Sequence, residues 1–334
     1  GFMQSKVNGG WQYGFIPSEV NFNFTEANSW QYSMFVPHDI NGLIELHGGV
    51  AAFESKLDQL FETNSSLTGR EQSDITGLIG QYAHGNEPSH HMAYLYNYLG
   101  NPAKTQKRVY QIMNEQYSSK PDGLSGNEDC GQMSSWYVLS ALGFYSVTPG
   151  LAYYTIGTPL FKRAKINLEN NISFIIKAKN VSDKNIYIQT AKLNGQEYNK
   201  SFLHHSTILN GGELEFIMGN KPSNWGENDI PVSEITKHLI VTVPFFSASS
   251  QTFVESHTVE LGTVDGSDIF YSLNNSEYKK YDKPIIINKQ IVISSYAQKN
   301  KIKSKTVTSE YFPRDDSKKI KILSTYANQY AAAG

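Results

Sequence analysis

The sequence has 334 residues, of which 39% are hydrophobic and 18% are charged, so it predicts a globular protein of about two to three domains. Because no stretch approaches the ~18 consecutive apolar residues of a spanning helix, we expect no membrane span, and we expect no signal peptide in the first residues. The net charge of −2 argues against nucleic acid as a partner, and the single Cys130 excludes an internal disulfide framework.

The pattern of residues 1–155 is typical of helices joined by Gly-rich loops. The spacing of Phe53, Leu57 and Leu60 predicts a helix over residues 50–63. Helix start and stop signals predict three more, over residues 88–100, 103–117 and 134–142. This part of the chain holds 7 Lys and Arg against 14 Asp and Glu, together with five of the nine His. Composition therefore places a functional site before residue 155.

After Pro149 the hydrophobic period changes to two, which predicts strands. Apolar residues alternate with polar ones over residues 171–179, and a turn is expected at Asn194-Gly195. Residues 221–231 are rich in Pro, Gly and Asn and predict a linker. A second all-β unit, a small sandwich, is predicted over residues 233–312.

Three loops concentrate ionisable, amide and aromatic side chains, at residues 24–39, 80–91 and 126–132. Carboxylates and amides in Gly-containing loops are the oxygen donors that calcium takes, and these loops offer Asn86, Glu87, Glu128 and Asp129. The alternative is that Asn86 and Asp129 are helix N-caps, since each precedes a predicted helix.

Adjacent His90 and His91 raise the alternative of a zinc site. Two His that chelate one zinc ion from a helix stand four residues apart, whereas neighbours point about 100° apart. His84 is six residues from His90, across a proline. A buried, hydrogen-bonded imidazole is the simpler interpretation for at least one of the pair.

Carboxylates in separate loops also suit an acid–base pair for glycoside hydrolysis, which needs one protonated and one ionised carboxyl group. Glu26 stands near Trp30, so partial desolvation is expected to raise its pKa. Asp129 near a cation is expected to stay ionised.

The same three loops resemble the signature blocks of glycoside hydrolase family 92, whose members are calcium-dependent, inverting exo-α-mannosidases and are often described as α-1,2-mannosidases. The blocks are FTEANSWQYSMFVPHDINGLIELHGG, DITGLIGQYAHGNEPSHHMAYLYNYLG and GNEDCGQMSSWYVLSALGFY, and the resemblance extends to about Trp225. It implies Glu26 as general acid, Asp129 as general base, and Asn86 and Glu87 as residues that hold Ca²⁺.

The resemblance also implies a set of residues that contact the mannose, which are Trp30, Glu71, His84 and Asn127. The sequence departs from the family pattern in two places. Asn127 stands where some members have a second Asp near the base. Arg70-Glu71 stands where members that cleave α-1,2 links carry a His-Glu pair, so the linkage cleaved is left open.

The fold that the resemblance implies is multidomain α+β, with the later half of an (α/α)₆ helical barrel followed by two small all-β sandwich domains. The barrel half occupies residues 1–155, and a β-sandwich unit that closes the catalytic region occupies 156–225. An Ig-like β-domain of the chitobiase C-terminal type follows at 233–312, and residues 313–334 form a tail toward a further domain. The chain is thus expected to be a C-terminal portion of a larger enzyme.

The expected partners are a mannose-containing glycan and the N-terminal half of the same enzyme, in a periplasmic or secreted location. Two alternatives stay open. The chain could be a folded fragment that is catalytically inactive by itself. It could also be a lectin-like carbohydrate-binding module, with affinity for mannans in residues 156–334.

Overall fold

The computed structural model describes residues 1–7, 10–236, 240–248, 250–264 and 266–317. They form two compact units, one from the described residues of 1–3 and 16–237 and the other from those of 4–15 and 238–334. Within the described part of the chain, every helix is too short or too polar to cross a membrane.

The helices of the first unit lie mainly before residue 143. The α-helices are α1 Ser29–Tyr32, α2 Ile40–Leu46, α3 Val50–Glu62, α4 Pro102–Glu115, α5 Gln132–Leu142 and α6 His205–Leu209. Short 3₁₀ helices span Glu87–Ser89, Met92–Leu99 and Glu169–Asn171. Phe53, Leu57 and Leu60 of α3 are fully buried, which confirms the helix predicted from their spacing.

The helix predicted over residues 88–100 is instead two 3₁₀ segments. Every residue of Met92–Leu99 is buried, so this segment lies inside the helical core with side chains of α3, α4 and α5 around it. Gly100 ends it at φ 73°, the left-handed conformation expected of a C-terminal glycine.

Residues 144–219 form two sheets around a second core. The larger sheet has the spatial order Gln196–Glu197, Tyr187–Leu193, Gly212–Gly219, Ser173–Lys179, Arg163–Asn167. Its one parallel pair places Ile176 beside Leu214 and Ala178 beside Phe216. The smaller sheet has the order Phe202–His204, Tyr153–Ile156, Phe144–Tyr145.

The predicted period-two strands and turn of this region are confirmed. Phe174, Ile176 and Ala178 are buried between intermediate or exposed neighbours. Asn194 and Gly195 join two antiparallel strands at φ 51° and 82°, the left-handed pair that a tight hairpin needs.

The linker predicted at residues 221–231 is wrong, because this segment packs on the second core. Trp225 is buried, its ring lies 6.2 Å from that of Phe216, and its indole N–H donates to the Tyr198 carbonyl at 2.8 Å. The Ser201 amide donates to the Asp229 carbonyl at 2.9 Å. One large aromatic side chain therefore anchors a segment whose composition is otherwise typical of a loop.

The second unit is a two-sheet β structure with its own core. The first sheet has the order Phe245–Ser247, His257–Gly262, Ile285–Ile287. The second sheet has the order Thr252–Phe253, Val307–Pro313, Ile291–Lys299, Asp268–Leu273, Lys279–Lys280. The short strand Ile302–Lys303 also pairs with Ile291–Lys299. Val259 from the first sheet and Ile293 and Tyr311 from the second are fully buried in one cluster. A hairpin of Lys6–Val7 and Gly10–Trp11 belongs to this unit.

Short strand pairs complete the first unit: Glu19–Val20 with Thr68–Gly69, and Leu78–Ile79 with Tyr82–Ala83. The α+β class is confirmed, while assignment of the helices to an (α/α)₆ barrel stays a prediction. Of the expected tail over residues 313–334, residues 318–334 lie outside the described residues.

Candidate active site

The Glu26 loop is fixed by the start of α1. The Asn28 side chain accepts from the Trp30 amide at 3.0 Å, and the Gln31 side chain accepts from the Asn28 amide at 2.9 Å, so both arms of a capping box are present. Asn28 Nδ2 also donates to Gln81 Oε1 at 2.8 Å. Glu26, two residues earlier, is therefore held beside the loop that carries residues 81–87.

Two glycines allow the second and third loops to touch through their backbones. A Cβ added to Gly126 would lie 2.7 Å from the Gly85 carbonyl oxygen, and one added to Gly85 would lie 2.2 Å from Thr76 Oγ1. Gly126 also has φ 77°, in the left-handed region. Only a glycine at position 126 permits this approach, which brings Asn86 and Glu87 near Asp129.

Four of the predicted site residues come together here. Asn86 is buried and its Nδ2 donates to Glu26 Oε2 at 2.9 Å. The Glu87 and Asp129 carboxyl groups share a hydrogen bond. Burial raises the pKa of Glu87, and the bond to Asp129 and the negative charges of Asp129 and Glu26 raise it further. One contiguous site thus joins Glu26, Asn86, Glu87 and Asp129.

The alternative that Asn86 and Asp129 are helix caps is wrong for Asp129, whereas Asn86 occupies the N-cap position of the 3₁₀ helix Glu87–Ser89. Asn86 makes no side-chain cap bond, since its amide is turned to Glu26. At α5 the N-cap residue is Gly131, and it is Glu128 that accepts from the Ser134 amide at 3.2 Å and from Ser134 Oγ at 3.0 Å. The Glu128 carboxylate therefore satisfies the helix start, and the Asp129 carboxylate faces the site.

The backbone at the predicted base is left-handed over three consecutive residues. Asp129, Cys130 and Gly131 have φ values of 49°, 56° and 94°. For the two residues with a side chain this conformation costs roughly 1–2 kcal/mol each. Strain of this kind is typical of functional sites, where the surrounding contacts hold the unusual conformation.

His84, predicted to contact mannose, lies in the buried floor under these loops. Its ring nitrogens pair with Tyr82 Oη at 2.8 Å and with Tyr117 Oη at 2.7 Å. Because Tyr117 Oη donates to the Met133 carbonyl at 2.9 Å, it accepts from His84 Nε2, and His84 Nδ1 accepts from Tyr82. Burial lowers the pKa of His84 well below its ordinary value, so the imidazole is neutral.

The other two histidines of this segment are also satisfied by hydrogen bonds. His90 Nδ1 faces Gln132 Nε2 at 3.1 Å, so its Nε2 carries the proton and donates to the His84 carbonyl at 3.0 Å. His91 Nε2 lies 2.9 Å from the Met34 carbonyl. No group of three or more His, Cys, Asp or Glu side chains among the described residues is arranged to hold a metal ion.

The contacts of the remaining predicted residues are with groups other than the four that converge. Glu71 is exposed, and Asn127 Nδ2 donates to Asp74 Oδ1 at 2.8 Å. The Trp30 indole packs edge to face on Phe2 at 4.6 Å, with Lys56 Nζ 4.0 Å from its ring. Since the Glu26 side chain is exposed, the desolvation expected from Trp30 is not found.

Sequence reasoning missed two polar residues of the site, Asp74 and Gln132. Asp74 opens the second block of the resemblance, and Gln132 stands in the third, so their place in the blocks was the available signal. Gln132 donates to both His90 Nδ1 and Tyr145 Oη at 3.1 Å, which ties the start of α5 to the buried floor.

A sequence profile described as the glycosyl hydrolase family 92 catalytic domain matches residues 1–220. The chain belongs to glycosyl hydrolase family 92. The matched residues include all three site loops, and the predicted membership in a glycoside hydrolase family is confirmed.

Individual proteins agree with the family 92 assignment. The chain is 33% identical over 255 residues to an uncharacterized secreted glycosidase from Arthroderma benhamiae, covering 70% of this chain and 30% of that protein. Among solved structures it resembles the GH92 α-mannosidase BT3965 from Bacteroides thetaiotaomicron in complex with mannoimidazole, at 37% identity and TM-score 0.65, covering 70% and 32%. The inverting mannosidase BT2199 from the same species gives 38% identity and TM-score 0.61, covering 70% and 33%. The chain spans about a third of the length of each.

Replacing Gly126 with alanine should separate the two loops. The added Cβ meets the Gly85 carbonyl, so we expect a loss of about 1–3 kcal/mol of unfolding free energy beyond the left-handed penalty of roughly 1–2 kcal/mol. Urea unfolding measures the loss. Gly150→Ala is the matched control, since Gly150 has φ 90° and no atom within 4 Å of an added Cβ. Equal losses in the two variants would contradict the close contact.

The buried histidines should make stability depend on pH. Burial lowers the pKa of His90 and His91 to about 4 in the folded chain, from 6.5 when unfolded. The unfolded chain then binds protons first, so this stabilisation is full above pH 6.5 and is lost as the pH falls toward 4, by as much as about 3 kcal/mol per histidine. NMR titration of labelled imidazoles in the folded protein checks it, with free histidine as reference. Midpoints near that of free histidine would show that these rings are not desolvated.

Proposed function

We propose that this chain supplies both catalytic carboxyl groups of an inverting, calcium-assisted exo-α-mannosidase, with Glu26 as general acid and Asp129 as general base. The observation that carries the proposal is the convergence of Glu26, Asn86, Glu87 and Asp129 from three separate loops in a family 92 chain. The mannosidases to which the chain is similar support α-mannose as the substrate.

Each carboxyl group has a surrounding that suits its role. A protonated Glu26 can accept the Asn86 amide at its carbonyl oxygen and keep its proton on the other oxygen, ready for the glycosidic oxygen. Asp129 would take a proton from the attacking water on the opposite face of the sugar. Both side chains are exposed in the free chain, so the bound glycan would exclude water from them.

Calcium is the proposed cofactor, and the oxygen types of the site suit it. Asn86 and Glu87 would hold the ion, which would polarise sugar hydroxyl groups when bound. Within the described residues, no Lys or Arg forms an ion pair with Glu26, Glu87 or Asp129, so three neighbouring carboxyl groups lack a protein counter-charge. Calcium takes six to eight oxygens, so backbone carbonyls and water would join the side chains.

The substrate we propose is a glycan that ends in α-linked mannose, with α-1,2 as the first linkage to test. Trp30, Glu71, His84 and Asn127 remain proposed substrate-binding residues, and His84 would act from beneath the site through its hydrogen bonds. Because the chain spans about a third of its relatives, the parts that it does not span are the proposed partner that completes the pocket. A secreted or periplasmic location is proposed from the relative called a secreted glycosidase.

Variants of Glu26 and Asp129 in the full-length protein test the assignment of the acid and the base. Glu26→Gln should lower kcat/KM for α-1,2-mannobiose by roughly 10²–10⁴-fold, and much less for 4-nitrophenyl α-mannoside, whose leaving group needs no proton. Asp129→Asn should abolish hydrolysis of both. NMR of the first-formed sugar should show β-mannose, because water attacks opposite the leaving group. Near-normal activity in Glu26→Gln, or α-mannose as first product, would exclude the scheme.

Calcium removal tests the cofactor. Exhaustive EGTA treatment should abolish hydrolysis of 4-nitrophenyl α-mannoside, and added Ca²⁺ should restore it, since Asn86 and Glu87 offer hard oxygen ligands. Glu87→Gln should raise the Ca²⁺ concentration required, measured by isothermal titration calorimetry with CaCl₂. Glu197→Gln, an exposed carboxylate on another sheet, is the control. Activity that survives chelation would remove calcium from the proposal.

A further inference from the structure

One short segment, residues 70–74, touches both loops that carry the proposed catalytic carboxyl groups. It follows the parallel strand pair Glu19–Val20 and Thr68–Gly69, and the Arg70 amide donates to the Val20 carbonyl at 2.8 Å, which fixes the start of the segment. At its other end Ile75 is buried in a small apolar cluster with Val20 and Ala27. The segment is therefore anchored on both sides.

The first contact of this segment is with the loop of the proposed acid. Arg70 Nη2 donates to the Thr25 carbonyl at 2.8 Å, and Gln72 Nε2 donates to the same oxygen at 3.2 Å. The Arg70 guanidinium carbon also lies 4.7 Å from the Phe22 ring centre. Two donors on the peptide next to Glu26 restrict the backbone from which its side chain extends.

The second contact is with the loop of the proposed base. Asp74 Oδ1 accepts from Asn127 Nδ2 at 2.8 Å, two residues before Asp129. A bond to a carboxylate is about twice as strong as one between neutral groups. An aspartate at position 127 would face Asp74 as a like charge, so Asn127 is the residue type that lets Asp74 hold this loop while ionised.

We infer that residues 70–74 form a spacer that sets the separation between Glu26 and Asp129, with Arg70 and Gln72 as positioning residues for the acid and Asp74 for the base. The inference rests on the proposed function. The separation of two carboxyl groups decides whether a water fits between them and the sugar, which inversion requires. Arg70 therefore acts on the catalytic geometry, and Glu71, next to it and exposed, is left free for the glycan.

Leaving-group dependence tests the acid side. Arg70→Met should lower kcat/KM for α-1,2-mannobiose about ten-fold more than for 4-nitrophenyl α-mannoside, because only the first substrate needs a well-placed proton donor. A merely structural role would lower activity on both substrates together. Equal loss, or no loss, on the two substrates would overturn the acid half of the spacer.

A swap of two residues tests the base side. Asn127→Asp should lower kcat/KM for both substrates by about ten-fold, because two carboxylates then face each other. Adding Asp74→Asn restores an amide–carboxylate bond with its direction reversed, so the double variant should be more active than Asn127→Asp. Glu197→Gln, which breaks an exposed carboxylate bond to Asn199 Nδ2, is the matched control and should keep full activity. A double variant no better than Asn127→Asp would overturn the base half.

Amide hydrogen exchange separates failure of the spacer from failure of the proposed function, because it needs no turnover. Arg70→Met should speed exchange in residues 24–28 and leave 126–130 unchanged. Asn127→Asp should do the reverse, and the swap should restore the original pattern. Unchanged exchange in an active protein would exclude the spacer alone, whereas the expected exchange pattern in a protein that cleaves no mannoside would exclude the mannosidase alone.

Discussion

The site depends on one close contact between two backbones, at Gly85 and Gly126. A single Cβ at Gly126 would come within 2.7 Å of the Gly85 carbonyl. This contact brings the loop with Asn86 and Glu87 against the loop with Asp129, and the Asn86 amide then reaches Glu26. Hydrogen bonds orient the side chains of the site, but the absence of a side chain at Gly126 decides whether the two loops can meet at all.

Beneath that contact lies a floor of neutral hydrogen-bonding groups. Hydrogen bonds run from Tyr82 to His84, from His84 to Tyr117 and from Tyr117 to the Met133 carbonyl. His90 is connected to them by its bond to the His84 carbonyl, and it also bonds to Gln132. Because each donor meets an acceptor, the floor can be buried without ionisation. Gln132 directly follows the left-handed residues 129–131, so its bond to His90 ties the loop of Asp129 to this network.

Local patterns predicted the parts of the fold that depend on neighbours in sequence. The stripe of α3, the cap at Gly100 and the Asn194-Gly195 turn follow from periodicity and turn chemistry. Composition failed at residues 221–231, because one buried Trp225 outweighs many loop-forming neighbours. Composition also did not decide whether Asp129 caps α5 or belongs to the site. The left-handed turn at residues 129–131 lets the Glu128 side chain accept from Ser134 at the start of α5, which leaves the Asp129 carboxyl group to the site.

The carboxyl groups of Glu26, Glu87 and Asp129 form an acidic rim above the neutral floor, and this arrangement affects what the site can bind. The floor histidines stay uncharged near neutral pH, because burial holds the pKa of His90 and His91 near 4. They therefore offer no positive charge to offset the carboxyl groups above them. A ligand that brings a cation gains more at this rim than a neutral sugar alone.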